Sequence, residues 1–172
     1  MSYIQAIIIA IIEGITEFLP VSSTGHMILA DSLMNIQDKE FAKTFEIVIQ
    51  LGAIMAVVFM YFKRFFVGID IYLKLAVAFL PTGIIGFFAY KTIKHYLFNP
   101  FTVSISLIVG GVVLILLDKW TEKKRSEYKQ VEDISYLGAI KIGLIQCVSM
   151  VPGVSRAAAT ILPALFSIIN GA

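Results

Sequence analysis

The chain has 172 residues, 58% of them hydrophobic and 15% charged, with a formal charge of +2. Soluble domains run near half apolar and about one-quarter charged, and a mean hydropathy of +0.86 moves this chain further toward lipid. Composition therefore argues against a water-soluble globule, a disordered chain and a nucleic-acid binder, and the single cysteine, Cys147, rules out an internal disulfide or a cysteine-built metal site.

The N-terminus has neither the basic flank nor the small-residue cleavage site of a removable signal. A crossing helix needs about 20 apolar residues, so the length holds about six or seven crossings at most. The expected class is an all-α, polytopic integral membrane protein.

The first apolar stretch, Ile4 to Leu19, carries Glu13 and Glu17 and is stopped by Pro20. At about 1.5 Å per residue it reaches only about two-thirds to three-quarters of the way through a bilayer, which predicts a re-entrant or short helix. Met27 to Met34 is shorter still. Phe41 to Phe62 is long enough to span, has Glu46 and Gln50 near its start, and is closed by Lys63 and Arg64. Ile69 to Tyr90 spans again, with Pro81 expected to kink it.

Phe101 to Leu117 has no charge and holds Gly110-Gly111, which permits close helix contact. A polar loop, 118–136, follows. Leu137 to Pro152 and Gly153 to Ile169 then form a pair of apolar pieces, broken at Pro152-Gly153 and carrying Arg156. Phe65, Phe66, Tyr72, Tyr90, Tyr96 and Trp120 read as interfacial anchors.

Positive charge orients the array. Lys119, Lys123, Lys124, Arg125 and Lys129 form the densest basic cluster and put the 118–136 loop in the cytoplasm. The Lys91–Pro100 loop is then outside, the Lys63-Arg64 turn inside, and Glu46, Gln50 and the Pro152–Arg156 break lie toward the outer face.

There is also an internal echo. Glu13 precedes Val21-Ser22 by eight residues, as Gln146 precedes Val154-Ser155, each beside a proline. Paired broken segments in two halves point to an inverted repeat with its site at the breaks. Residues 1–117 would be the first repeat, 118–136 the connecting loop, and 137–172 the start of an incomplete second repeat, all in one membrane domain.

Two polar constellations carry chemistry. In the first, Glu13 and Glu17 stand four apart on one helical face, where like charges in lipid require a shared proton or a bound cation. After Pro20 come Ser22, Ser23, Thr24 and His26. If Ser23 begins a helix, His26 lies one turn along and supplies a base to its hydroxyl.

In the second, Pro152-Gly153 breaks a helix and Ser155-Arg156 opens another. A free helix N-terminus beside an arginine suits phosphate, with Thr160 on the same face as Arg156. Taken singly, each hydroxyl is more often a helix cap than a nucleophile, and Arg156 could as easily snorkel to a headgroup. Their conjunction beside helix breaks in lipid favours a site.

The run from Glu13 through Glu17 and Ser23 to His26 resembles the first signature of the bacterial undecaprenyl-diphosphate phosphatases, the bacitracin-resistance family. Pro152-Gly153-Val154-Ser155-Arg156 with Thr160 is similar to the second. Thr44-Phe45-Glu46 through Gln50-Leu51-Gly52, and Phe98-Asn99-Pro100, match the intervening run.

The resemblance covers nearly the whole chain. It implies hydrolysis of undecaprenyl diphosphate to the monophosphate, recycling the carrier for peptidoglycan synthesis, in a bacterial inner membrane with the site toward the outer face. It implies an inverted-repeat fold with re-entrant helices, a polyprenyl diphosphate as partner, and leaves room for a homo-oligomer.

A diphosphate needs charge neutralisation, a nucleophile and a proton donor, and the residues are expected to divide that work as follows. Arg156, the N–H groups after Gly153, Ser155 and Thr160 clamp phosphate, while Ser22, Thr24, Glu46 and Gln50 contribute to substrate binding. Ser23 attacks, with Ser22 second. His26 takes its proton or itself attacks phosphorus, and Glu17 orients His26 or activates water. Glu13 and Glu17 share a divalent cation, Mg²⁺ or Ca²⁺.

Two departures stand out: Ala157 occupies a position where the family has serine, and family members continue for several more membrane segments. The other classes open to the chain are a transporter or lipid carrier on the same scaffold and an inactive lipid-binding fragment.

Overall fold

The computed structural model describes residues 1–66, 68–122 and 134–170. Its described residues form α-helices and short 3₁₀ turns: α1 (Tyr3–Thr16), α2 (Ser23–Leu33), α3 (Glu40–Met60), α4 (Ile69–Tyr96), α5 (Pro100–Glu122), α6 (Tyr136–Gln146) and α7 (Arg156–Asn170). By length and composition, α3, α4 and the Pro100–Leu117 part of α5 are apolar enough to cross a membrane. The 14 residues of α1 reach about 21 Å, short of a hydrocarbon core of about 30 Å.

Local chemistry sets the helix ends. Ser2 and Gln5 form a capping box that starts α1, and the chain leaves helical geometry as it approaches Pro20. Asn99 joins α4 to α5: its amide donates to the carbonyl of Tyr96, and its side-chain oxygen accepts from the N–H of Thr102, each at 2.9 Å. Pro100 then occupies the first turn of α5, where no N–H is needed.

Two segment ends differ from the sequence expectation. The α4 helix continues to Tyr96, so Lys91 and Lys94 belong to it and the connection shrinks to the residues around Asn99. The α5 helix continues to Glu122, so the polar segment does not begin at Asp118, and Lys119 is helical. Helical geometry carries past the apolar run in both cases because charged side chains at a helix end remain in water. The expectations for Lys123, Lys124, Arg125, Lys129 and the Trp120 side chain lie outside what is described. Pro81 falls within α4, which runs through it.

The buried apolar set is small. It includes Ile9, Met27, Ile36, Ala42, Val103, Ile142 and Ala158, whereas Phe87 (81%), Phe88 (79%) and Phe101 (76%) are largely exposed. A water-soluble protein does not leave such continuous apolar area uncovered, and lipid is the solvent that accepts it. Phe65, Phe66, Tyr72, Tyr90 and Tyr96 are exposed as well.

Two groups of helices make up the packing. In one, α1 lies against α2 and α3, and α2 continues onto α5. In the other, α6 lies between α4 and α7. The α4–α6 crossing requires a glycine: a Cβ at Gly143 would fall 2.0 Å from the carbonyl oxygen of Ala78. Thr82 seals the crossing by donating to the carbonyl of Gly143 at 3.0 Å. The last two apolar pieces are therefore α6, a 3₁₀ turn at Cys147–Met150, the break at Val151–Ser155, and α7.

Candidate active site

Each polar constellation sits where a short apolar helix stops and a serine-capped helix begins. Ser22 caps α2 from the left-handed region (φ 64°, ψ 89°), its Oγ accepting from the N–H of Gly25 at 3.3 Å. The Ser155 side chain caps α7, accepting from the N–H of Ala158 at 3.2 Å. Gly153 turns the chain before it with φ +94°, a conformation natural only to glycine.

The two breaks meet. Glu17, Ser22, Ser23 and Thr24 from the first, and Gly153, Ser155, Arg156 and Ala157 from the second, line a common cavity of about 170 Å³. Within it, Ser23 begins α2, is 4% exposed, and donates its hydroxyl to Oε2 of Glu17. Glu17 is itself the C-cap of α1. Arg156 is the first residue of α7 and is exposed, and its guanidinium has no hydrogen-bond or ion-pair partner among the described residues. With Ser155 occupying the N–H of Ala158, the N–H groups of Arg156 and Ala157 form the open end of the helix.

The geometry alters several expectations. The Ser23 hydroxyl does have a partner, but it is the Glu17 carboxylate rather than His26. The Nδ1 of His26 lies 2.9 Å from the carbonyl oxygen of Ser22. A carbonyl only accepts, so Nδ1 is the donor of this bond. The ring lines a separate apolar groove, not the polar cavity. The reason is register: at Ser23 + 3 the imidazole turns back onto its own helix start.

Thr160 lines neither cavity, and its hydroxyl donates to the carbonyl of Arg156 at 2.9 Å. Gln50 reaches the site indirectly, donating to Thr24 Oγ1 at 3.3 Å. Of the expected glycine pair, Gly110 comes within 4.0 Å of the Gly153 carbonyl through a notional Cβ, whereas Gly111 faces open space.

Behind the cavity is a buried acidic layer. Glu13 is 1% exposed and both its carboxyl oxygens lack a hydrogen-bond partner. Ser23, Glu17 and Arg156 lie within electrostatic reach, although Ser23 and Glu17 make no well-formed hydrogen bond to it. Glu46, on α3, faces Asp31, on α2, with one oxygen of each buried and unpartnered.

Asp31 is 4% exposed and was missed by sequence reasoning. Its signal was available, since it is the charged residue of the Met27–Met34 apolar run. Ser149, also on the cavity wall, gave no comparable signal, whereas Phe98 lies in the run that resembles the family.

Comparison with known proteins finds a family over nearly the whole chain. Residues 6–171 match the family model described as bacitracin resistance protein BacA. A protein of Flavobacterium psychrophilum called undecaprenyl-diphosphatase is 55% identical over 162 residues, which cover 94% of this chain and 60% of that protein. Proteins of the same description from Bdellovibrio bacteriovorus and Wolinella succinogenes are 50% and 51% identical, covering 96% and 99% of this chain.

The chain spans 60% to 66% of the length of these relatives. With a match over nearly every residue and both site-bearing breaks inside it, the chain belongs to the bacitracin resistance protein BacA family.

Proposed function

We propose that this chain carries the phosphate site of an undecaprenyl-diphosphatase, which hydrolyses undecaprenyl diphosphate to undecaprenyl phosphate and orthophosphate in a bacterial cytoplasmic membrane. The observation that carries this reading is the common cavity lined by a serine bonded to a carboxylate and by an arginine, at a helix N-terminus, that has no partner among the described residues. The chemical need is charge neutralisation, a nucleophile and a proton acceptor, and the cavity wall supplies each.

Arg156 and the open N–H groups of α7 bind the diphosphate oxygens and stabilise the charge that grows on them in the transition state. Ser23 attacks the terminal phosphorus as its proton passes to Glu17. The bond from that phosphorus to the bridging oxygen breaks, and the lipid monophosphate leaves. Glu17 passes the Ser23 proton to the leaving lipid phosphate; water then attacks the phosphoserine, giving a proton to the freed carboxylate, which returns it to Ser23 Oγ as orthophosphate leaves. His26 orders the Ser22 turn that aims Ser23, rather than taking its proton.

Glu13 and Glu17 would hold a divalent cation, Mg²⁺ or Ca²⁺. The unpartnered, buried oxygens of Glu13 fit a hard cation, which takes oxygen donors. Among the described residues no set of three or more His, Cys, Asp or Glu side chains gathers as ligands, so hydroxyls, water and substrate would complete the shell. When bound, such an ion supplies positive charge to the phosphate oxygens.

We further infer an inverted repeat with re-entrant α1–α2 and α6–α7 pairs. Its support is the recurrence of a short apolar helix, a break and a serine cap in both. The positive charges at Lys63, Arg64 and in the Lys119–Lys129 run favour a site open to the outer face.

The test is phosphate release from undecaprenyl diphosphate by the purified, detergent-solubilised protein with Mg²⁺, beside Ala157→Ser. Release that Arg156→Ala removes is the expected result. Silence from protein shown to be folded and to bind no diphosphate would overturn the reading.

A further inference from the structure

Six hydroxyls line the polar cavity, those of Thr16, Ser22, Ser23, Thr24, Ser149 and Ser155. A hydroxyl has one proton to give and lone pairs with which to accept, so each divides its bonds between the protein and whatever fills the cavity. Three of the protons are spent inside the protein. Thr16 donates to the carbonyl of Ile12 at 2.6 Å, Ser149 to that of Gln146 at 2.7 Å, and Ser23 to Glu17.

The other three oxygens are held as acceptors. Ser22 and Ser155 take N–H groups of the helices they cap, and Thr24 Oγ1 takes the side-chain amide of Gln50 at 3.3 Å. Among the described residues no acceptor holds the protons of these three. Thr24 differs from the two caps, because a side chain on another helix turns it. Gln50 belongs to α3 and does not line the cavity, so it acts there through Thr24.

A charged phosphate oxygen accepts and does not donate. Thr24 serves it only while its own proton is free, and that depends on the direction of the Gln50–Thr24 bond. We propose that Gln50 is a positioning residue: by donating to Thr24 it keeps the Thr24 proton for the diphosphate, making a third hydroxyl donor beside Ser22 and Ser155. The inference rests on the diphosphatase reading for its anion. An acceptor in place of the amide reverses the bond, draws the Thr24 proton toward α3 and leaves a lone pair where the anion needs a donor.

The test compares Gln50→Glu, Gln50→Met and Thr24→Val, and each Gln50 variant combined with Thr24→Val, with the parent in lipid nanodiscs. The dissociation constant of inorganic diphosphate and the KM and kcat for undecaprenyl diphosphate are measured, with thermal midpoints to show that each protein is folded. Gln50→Glu and Thr24→Val should each weaken inorganic diphosphate about tenfold, which is about 1.4 kcal/mol. Gln50→Met should weaken it about threefold, since the Thr24 hydroxyl stays free but is no longer aimed. On the Thr24→Val background neither Gln50 variant should weaken binding further. The KM for undecaprenyl diphosphate should follow the same order, with kcat changed less.

A bond that only joined α2 to α3 would survive in Gln50→Glu, whose carboxylate still takes the Thr24 hydroxyl, and be lost in Gln50→Met; that ranking overturns the inference. So does a Gln50→Glu defect that persists on the Thr24→Val background, which is the new charge acting directly on the anion. Parent-like binding by Thr24→Val overturns it as well. Should Gln50→Glu not fold, Gln50→Met decides, and equal losses with and without the Thr24 hydroxyl overturn the inference. The expected pattern with inorganic diphosphate, but no phosphate release from undecaprenyl diphosphate, keeps the role of Gln50 and removes the diphosphatase reading. A parent that binds no inorganic diphosphate overturns both.

Discussion

A Cβ on Gly25 would sit 3.0 Å from Cα of Gly153. The two helix breaks, far apart in sequence, thus touch backbone to backbone at a pair of glycines. Gly153 is held just as tightly on its far side, where a Cβ would lie 2.8 Å from both the Val103 carbonyl oxygen and Ser106 Cβ. The first break, the second break and α5 meet at this point, and the cavity between Ser23 and Arg156 depends on it.

Gly153→Ala should therefore cost both strain at φ +94° and a backbone collision. The expected loss is about 1–3 kcal/mol, read as a lower thermal midpoint in detergent, together with loss of phosphate release. Gly14→Ala is the control, since its Cβ would meet nothing within 4 Å. A Gly153→Ala protein as stable as the parent would show that the junction relaxes freely.

Ser23 and Glu17 act as a unit if Glu17 takes the Ser23 proton. Ser23→Ala and Glu17→Gln should each lower kcat by roughly 10²–10⁴-fold, and the double variant should be scarcely worse than either single one. His26→Gln should cost less than either, since its ring nitrogen is bound to the Ser22 carbonyl. Additive losses in the double variant would separate the two residues mechanistically.

Arg156→Ala should reduce kcat/KM by about 10²–10³-fold, with Arg156→Lys recovering part of the charge but not the forked geometry. Thr160→Val should leave turnover within about twofold of the parent, because its hydroxyl is spent on a carbonyl outside the cavity. A loss for Thr160→Val equal to that for Arg156→Ala in the same assay would extend the working cavity to Thr160.

The sequence was most legible where one residue's chemistry decides the structure. Charges beside Pro20 and Pro152-Gly153 located both breaks, and the hydroxyls after them became caps at Ser22 and Ser155. Partner choice was not legible. Whether Ser23 meets His26 or Glu17 depends on how α2 starts after a left-handed residue, which spacing does not encode. The ends of α4 and α5 were misplaced because apolar content was taken as the limit of the helix, although solvated lysines continue it. Asp31 escaped because its partner, Glu46, lies on another helix, and only packing brings the two together.

Cation binding can be read without turnover. If Glu13 and Glu17 hold a divalent ion, added Mg²⁺ or Ca²⁺ should raise the thermal midpoint, by about 2.7 kcal/mol of stabilisation at one hundred times the dissociation constant. Glu13→Gln should abolish that rise, and a chelator should reverse it in the parent. A parent whose midpoint ignores both ions and the chelator would remove the ion from the site.

Asp31 and Glu46 make the opposite prediction about a carboxylate. An acid deep among apolar helices normally survives by pairing with a cation, and removing its partner is then costly. The ion pair formed among the described residues, Lys74–Asp70 at 2.7 Å, involves neither residue, and each leaves one oxygen buried without a partner. Two such groups facing each other must share a proton or repel, and an amide in place of one carboxyl keeps the shape and a hydrogen-bond donor while removing the charge. Asp31→Asn should therefore leave the thermal midpoint equal to the parent's or raise it, by up to about 1 kcal/mol. Asp31→Leu should lower it by stranding the Glu46 carboxyl. A fall in the midpoint for Asp31→Asn as large as for Asp31→Leu would mean that the ionised form of Asp31 is what α2 and α3 are built to hold.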